Sequence, residues 1–100
     1  MVKLQVCSDR KNILPLLQDA ISYKISRTKI GLNKTEESIR KFEELYKINS
    51  TSFLDSYTAE DLSGGDDHYI SWVGEINLRE SLLDELNILN EIEYVPQIIS

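Results

Sequence analysis

Apolar residues recur every three or four positions through the last third of the chain, a spacing that gives one continuous stripe on a helix of 3.6 residues per turn. The stripe consists of Tyr69, Trp72, Val73, Ile76, Leu83, Leu86, Leu89 and Ile92, widened by Ile70, Leu82 and Ile88. Charged side chains occupy the opposite face. The pattern therefore predicts a long amphipathic helix from Asp66 to Glu93, opened by the glycines at 64 and 65 and capped by an aspartate.

Three shorter helices are predicted before it. The first covers residues 12–30, with Asn12 or Asp9 as its cap and Gly31 as its C-terminal stop. The second begins at Asn33 or Thr35 and ends near Tyr46. The third is short, starts at a capping Ser50 and runs through Tyr57.

The first residues alternate between apolar and polar side chains, which is typical of a half-buried strand. Val2, Leu4 and Val6 form its apolar side. The only other extended segment is 93–99, where Pro96 restricts pairing to an edge. We therefore expect the strand to pair between two chains, and the apolar stripe of the long helix also suits a two-fold contact. Both features predict a homodimer; the alternative for residues 2–6 is a frayed terminus.

Size and composition favour a single helical domain over residues 1–100. The chain has 100 residues, 41% hydrophobic and 28% charged, and no apolar run reaches the roughly 18–20 residues that a membrane-spanning helix needs. The first residues lack the apolar core of a signal peptide, so we expect a cytoplasmic protein. Cys7 is the only cysteine, which excludes an internal disulfide. The expected fold class is mainly α, with about four helices and a short N-terminal strand.

The net charge of −6 is unevenly distributed. Residues 1–34 contain seven basic and two acidic side chains, a net +5, whereas residues 35–100 contain four basic and fifteen acidic ones, a net −11. Two readings stay open. The two parts neutralise each other inside the fold, or the acidic part is a surface for a basic partner.

Little in the sequence points to catalysis. There is one histidine, one cysteine and no glycine-rich phosphate loop. The densest polar cluster is Asp66, Asp67 and His68, but neighbouring helical residues point about 100° apart and do not converge on a metal. We expect His68 to be a surface residue and Phe42, Phe53 and Trp72 to belong to the core. The sequence thus predicts a non-catalytic protein without metal or cofactor.

A sequence pattern in the middle of the chain resembles that of TumA-like antitoxins, the small acidic members of prokaryotic toxin-antitoxin pairs. The pattern comprises Phe42-Glu43 followed by Tyr46, then Ser50 before Ser52-Phe53, then a Gly-Asp-Asp loop, then Trp72 on a long helix. It covers about a third of the chain. The resemblance implies a protein that binds and silences a ribonuclease-like toxin.

The expected binding surface is acidic and lies on the long helix. Its candidate residues are Glu75, Glu80, Asp84 and Glu85. A ribonuclease presents basic surfaces to RNA, and an acidic helix can occupy such a surface. The alternative function is a small dimeric DNA-binding regulator or structural interaction protein that uses the basic first third, with Arg10, Lys11, Lys24 and Arg27 as its contacts.

Overall fold

The computed structural model describes residues 2–6, 13–62 and 64–96. Its elements in chain order are strand β1 (Val2–Val6), helix α1 (Ile13–Tyr46), helix α2 (Ser50–Ser56), a 3-10 turn (Ala59–Asp61), helix α3 (Gly65–Asn90) and strand β2 (Ile92–Pro96). Helices α1 and α3 pack side by side in opposite directions and form a rod of 67 × 20 × 18 Å. The expected fold class, mainly α with a long C-terminal helix, is confirmed.

Helix α1 is continuous over 34 residues, so the predicted break at Gly31 is wrong. A glycine inside a helix costs only about 1 kcal/mol, which packing outweighs when the apolar stripe continues in register on both sides. The stripe does continue: Thr28, Leu32, Thr35 and Ile39 are buried at helical spacing. The space left by the missing Cβ of Gly31 is covered by Leu82. Neither Asn33 nor Thr35 therefore caps a helix.

The end of α1 is a tight reversal that leads directly into α2. Lys47 adopts φ 55°, a left-handed conformation, and the Ile48 N–H donates to the carbonyl oxygen of Glu43 at 3.2 Å. Glycine is the usual residue at a left-handed position directly after a helix, but here the position is occupied by Lys47. The side chain of Asn49 then accepts the Ser52 N–H at 2.8 Å and caps α2. The predicted capping role of Ser50 is wrong, since Ser50 is the first residue inside the helix.

Helix α3 occupies nearly the predicted range, but its start differs from the prediction. Gly64 precedes the helix with no side-chain capping bond, and Gly65 has a φ of 59°, a conformation that favours glycine. Asp66 and Asp67 are exposed in the first turn, where their charges face the positive end of the helix dipole. The prediction of an aspartate cap is therefore wrong.

The two strands form a two-stranded parallel sheet at the end of the rod where the chain begins and ends. The register runs from Val2 beside Ile92 to Val6 beside Pro96. The antiparallel hairpin brings these segments together, because α1 starts where α3 ends. The expectation that the strand of Val2, Leu4 and Val6 lacks a partner in its own chain is wrong. Pro96 lies in the last pair, where a missing N–H costs little.

Among the residues whose burial the structure describes, the buried apolar side chains lie at one end of the hairpin. The buried apolar side chains are Leu32, Ile39, Phe53, Leu62, Trp72 and Ile76. We call this part, built from residues 32–76, the closed end. The open half consists of residues 13–31 of α1 and 77–90 of α3, and none of its described apolar side chains is fully buried. No helix in the described segments is both long enough and apolar enough to cross a membrane.

Candidate functional site

An aromatic stack forms the centre of the closed end. Trp72 and Phe53 are fully buried, and their rings are parallel with centroids 3.8 Å apart. Phe42 and Tyr46 of α1 cover the same indole, with ring centroids 5.4 and 5.8 Å away. The stack joins all three helices because each contributes at least one ring. The prediction that Phe42, Phe53 and Trp72 are core residues is confirmed.

A chain of hydrogen bonds runs from the buried indole to a carboxylate. Trp72 Nε1–H donates to Ser50 Oγ at 2.9 Å, and the Ser50 hydroxyl donates to Glu43 Oε2, also at 2.9 Å. The Ser50 backbone N–H donates to the same carboxylate oxygen at 2.8 Å. Glu43 thus satisfies one of the free N–H groups at the start of α2. Ser50 is 5% exposed and ties α1, α2 and α3 together.

A second polar contact fixes the loop before α3. The hydroxyl of Tyr46 is hydrogen-bonded to Nδ1 of His68 and accepts the Gly64 N–H at 3.2 Å. The imidazole also packs edge-on against Phe42, with centroids 5.6 Å apart. A Cβ on Gly64 would overlap the imidazole, so glycine is needed here for space. His68 is half-buried, and the prediction of a surface histidine is wrong.

The polar side chains of the closed end mainly satisfy one another. Glu43 accepts two hydrogen bonds from Ser50, and His68 is hydrogen-bonded to Tyr46. In the described segments no group of three or more His, Cys, Asp or Glu side chains is arranged to hold a metal. These hydrogen bonds therefore give the polar side chains of the closed end a structural role, because buried polar groups need hydrogen-bond partners.

The four predicted partner-binding residues fall into two classes. Glu80 and Asp84 are exposed and lie one helical turn apart on α3. Glu85 is half-buried, and its Oε1 is 3.1 Å from Nζ of Lys24. Glu75 is also half-buried, and its Oε2 is buried without a hydrogen-bond partner in the described structure. Of the four, only Glu80 and Asp84 are exposed.

One described ion pair, between Lys24 and Glu85, connects the basic part of the sequence (residues 1–34) with the acidic part (residues 35–100). The hydroxyl of Thr28 donates to the carbonyl oxygen of Lys24 at 2.8 Å and lies 3.4 Å from Glu85 Oε2. The remaining described cations of residues 13–34 are exposed on α1: Arg27, Lys29 and Lys34. The predicted nucleic-acid contacts Arg10 and Lys11 lie outside the described residues. The exposed carboxylates on one side of α3 and its end, Asp66, Glu80, Asp84 and Glu91, form what we call the acidic face.

The structure also reveals an exposed apolar surface. Its α3 members Leu83 and Ile88 belong to the predicted apolar stripe, whereas its α1 members were not predicted. Among the residues whose exposure the structure describes, nine large apolar side chains are exposed, and six of them belong to the open half: Leu16, Tyr23, Ile30, Leu78, Leu83 and Ile88. On α3, Leu78 and Ile88 border a groove of about 630 Å³ that also contains Asp84 and Glu85. The signal for the α1 members was present in the sequence, since Leu16, Tyr23 and Ile30 are spaced by seven residues.

Comparison of the chain with protein-family models, with curated proteins and with solved structures finds no match.

Proposed function

We propose that this protein is a non-catalytic binding module that, like the antitoxins it resembles, binds and neutralises a basic, ribonuclease-like protein. The observation that carries the proposal is the acidic face of α3. Glu80 and Asp84 are exposed there, one turn apart, and neither is in a described ion pair. Carboxylates that the fold does not use internally are available to a partner.

Exposed apolar side chains beside these carboxylates strengthen the proposal. Leu83 is 41% exposed and Ile88 is 51% exposed on the same helix. Charge complementarity mainly speeds the encounter of two proteins, while desolvated apolar side chains slow their separation. A surface with both features suits a tight complex with a basic protein.

The aromatic residues of the antitoxin-like pattern lie in or against the core of the closed end, which supports a scaffold in common with the antitoxins that the chain resembles. Phe42, Tyr46, Phe53 and Trp72 all belong to the aromatic stack, and Ser50 is bonded to its indole. Buried residues set the shape of a protein, whereas exposed residues select its partner. We therefore assign partner recognition to the acidic face and not to the residues of the pattern.

The test starts with capture of the partner from the source cell, followed by association kinetics. Replacing Glu80 and Asp84 together with lysine should slow association by about tenfold at low salt and change dissociation less. The matched control replaces Asp55 and Glu60 with lysine. These are exposed carboxylates of α2 and the 3-10 turn, so the net charge changes by the same amount. Equal slowing in both variants, or capture of no basic protein, would refute the acidic face as the binding surface.

The second candidate is nucleic-acid binding by α1. The observation that favours it is the exposure of Arg27, Lys29 and Lys34 on one helix. Phosphate contacts give an affinity that falls steeply with salt concentration. Capture of DNA or RNA, with binding lost on replacing Arg27 and Lys34 by alanine and unaffected by Glu80→Lys, would establish this alternative in place of the antitoxin-like function.

A further inference from the structure

The outer side of α1 carries a line of large apolar side chains that nothing in the described structure covers. Leu16 is 56% exposed, Tyr23 68% and Ile30 45%. Their spacing of seven residues is about 20° short of two full helical turns, so the three side chains lie nearly in one row along the axis. We call this row the outer row.

The outer row points away from α3. The residues of α1 that face α3 are the buried Thr28, Leu32, Thr35 and Ile39. Ile30 follows Thr28 by two residues, which is about 200° around the helix. The open half of α1 is thus apolar on two opposite sides, a pattern typical of a helix with neighbours on both sides.

We propose that the outer row is a dimer interface, on which α1 of a second copy packs in the antiparallel direction. The row is symmetric about Tyr23, because Leu16 and Ile30 are each seven residues from it. A two-fold axis at Tyr23 therefore places Leu16 on Ile30 of the partner subunit, and Tyr23 on the partner's Tyr23. The contact is self-complementary and closes at two copies.

The charges beside the row select the antiparallel direction. With the axis at Tyr23, exposed Arg27 lies at the level of the partner's Asp19, and Asp19 at the level of the partner's Arg27. A parallel pair in register would instead place Arg27 beside the partner's Arg27 and Asp19 beside the partner's Asp19, which is unfavourable. Charge complementarity thus identifies a second copy of this chain as the occupant.

This interface differs from the two dimer contacts that the sequence suggested. The strand of Val2, Leu4 and Val6 has a partner in its own chain, and the buried part of the α3 stripe, which includes Trp72 and Ile76, packs inside the same chain. Because the outer row lies opposite α3, both acidic faces point outward in the dimer. Dimerisation and partner binding therefore do not compete, and each can be tested without the other.

Sedimentation of the full chain at micromolar concentrations tests the proposal. We expect a species of twice the 11.5 kDa chain mass that dissociates at low concentration. Tyr23→Glu should weaken the dimer at least tenfold. Ile70→Glu is the matched control, since Ile70 is also 68% exposed but lies on α3 at the closed end. Both residues are exposed in the single chain, so unchanged helical circular dichroism is expected for both variants.

Cross-linking tests the geometry. In a Cys7→Ser chain, Tyr23→Cys should oxidise readily to a disulfide-linked dimer because the residue meets its own copy on the axis. Leu16→Cys should not, because in the proposed pairing its copy is about 21 Å away along the helix. A single-chain mass up to 100 µM, equal effects of Tyr23→Glu and Ile70→Glu, or faster cross-linking at Leu16 than at Tyr23 would each overturn the proposal.

Discussion

Removing the Ser50 hydroxyl tests whether the buried hydrogen-bond chain holds the three helices together. Ser50→Ala deletes the acceptor of the Trp72 Nε1–H at 2.9 Å and one donor to Glu43 Oε2 at 2.9 Å. Trp72 is fully buried, so water cannot replace the lost acceptor without entering the core. An unsatisfied buried donor costs about 1–3 kcal/mol, and a hydrogen bond to a charged group contributes about 1.5–3 kcal/mol.

Because the Ser50 backbone N–H still reaches Glu43 at 2.8 Å, the two effects do not add in full. We expect Ser50→Ala to lower the free energy of unfolding by about 2–4 kcal/mol. Domains of this size are stable by only about 5–15 kcal/mol. The melting temperature should therefore fall by roughly 10–25 °C.

Urea unfolding followed by circular dichroism and by the fluorescence of Trp72 measures the change. Ser56→Ala, at an exposed position of the same helix, is the matched control and should change stability by less than about 0.5 kcal/mol. A double-mutant cycle isolates the indole bond, because Trp72→Phe removes the N–H donor. In that background Ser50→Ala should cost about 1 kcal/mol less. A loss below about 0.5 kcal/mol for Ser50→Ala, or no coupling in the cycle, would refute this account of the core.

Three further substitutions test single features by urea unfolding. Lys47→Gly should stabilise the protein by about 1 kcal/mol, because the left-handed conformation at φ 55° is strained for lysine; a loss of stability would contradict this. Glu75→Met should raise the free energy of unfolding by about 1 kcal/mol by removing a buried carboxylate oxygen without a partner, whereas a decrease would mean that this carboxylate has a stabilising partner. Gly64→Ala should destabilise by about 1–3 kcal/mol through overlap with the imidazole of His68. The same change in a His68→Ala chain should cost clearly less, and equal costs in the two chains would exclude the overlap as the cause.

The mainly helical fold class and the approximate range of α3 could be predicted from the sequence because the apolar periodicity of a helix is a local signal. The same signal identified Phe42, Phe53 and Trp72 as core residues. Local signals also suggested a helix stop at Gly31 and a cap at Ser50, and both suggestions were wrong. Each is a common local role of its residue type, and only the surroundings show whether the residue adopts it.

Tertiary structure decided the points that depend on distant parts of the chain. Packing against Leu82 allows α1 to continue through Gly31, and contacts with Glu43 and Trp72 make Ser50 a buried residue. The partner of β1 lies ninety residues away in the sequence and is reached only because the hairpin is antiparallel.

The candidate site shows the same division. Composition and charge along the sequence indicated an acidic helix, but they could not separate carboxylates used inside the fold from those left exposed. Glu85 meets Lys24 because α1 and α3 run side by side, whereas Glu80 and Asp84 point to solvent. The sequence by itself thus determined that the protein has these carboxylates and that the long helix carries them. The packing of one helix on another decided which of those groups remain on the surface, because burial depends on neighbours that are far apart in the chain.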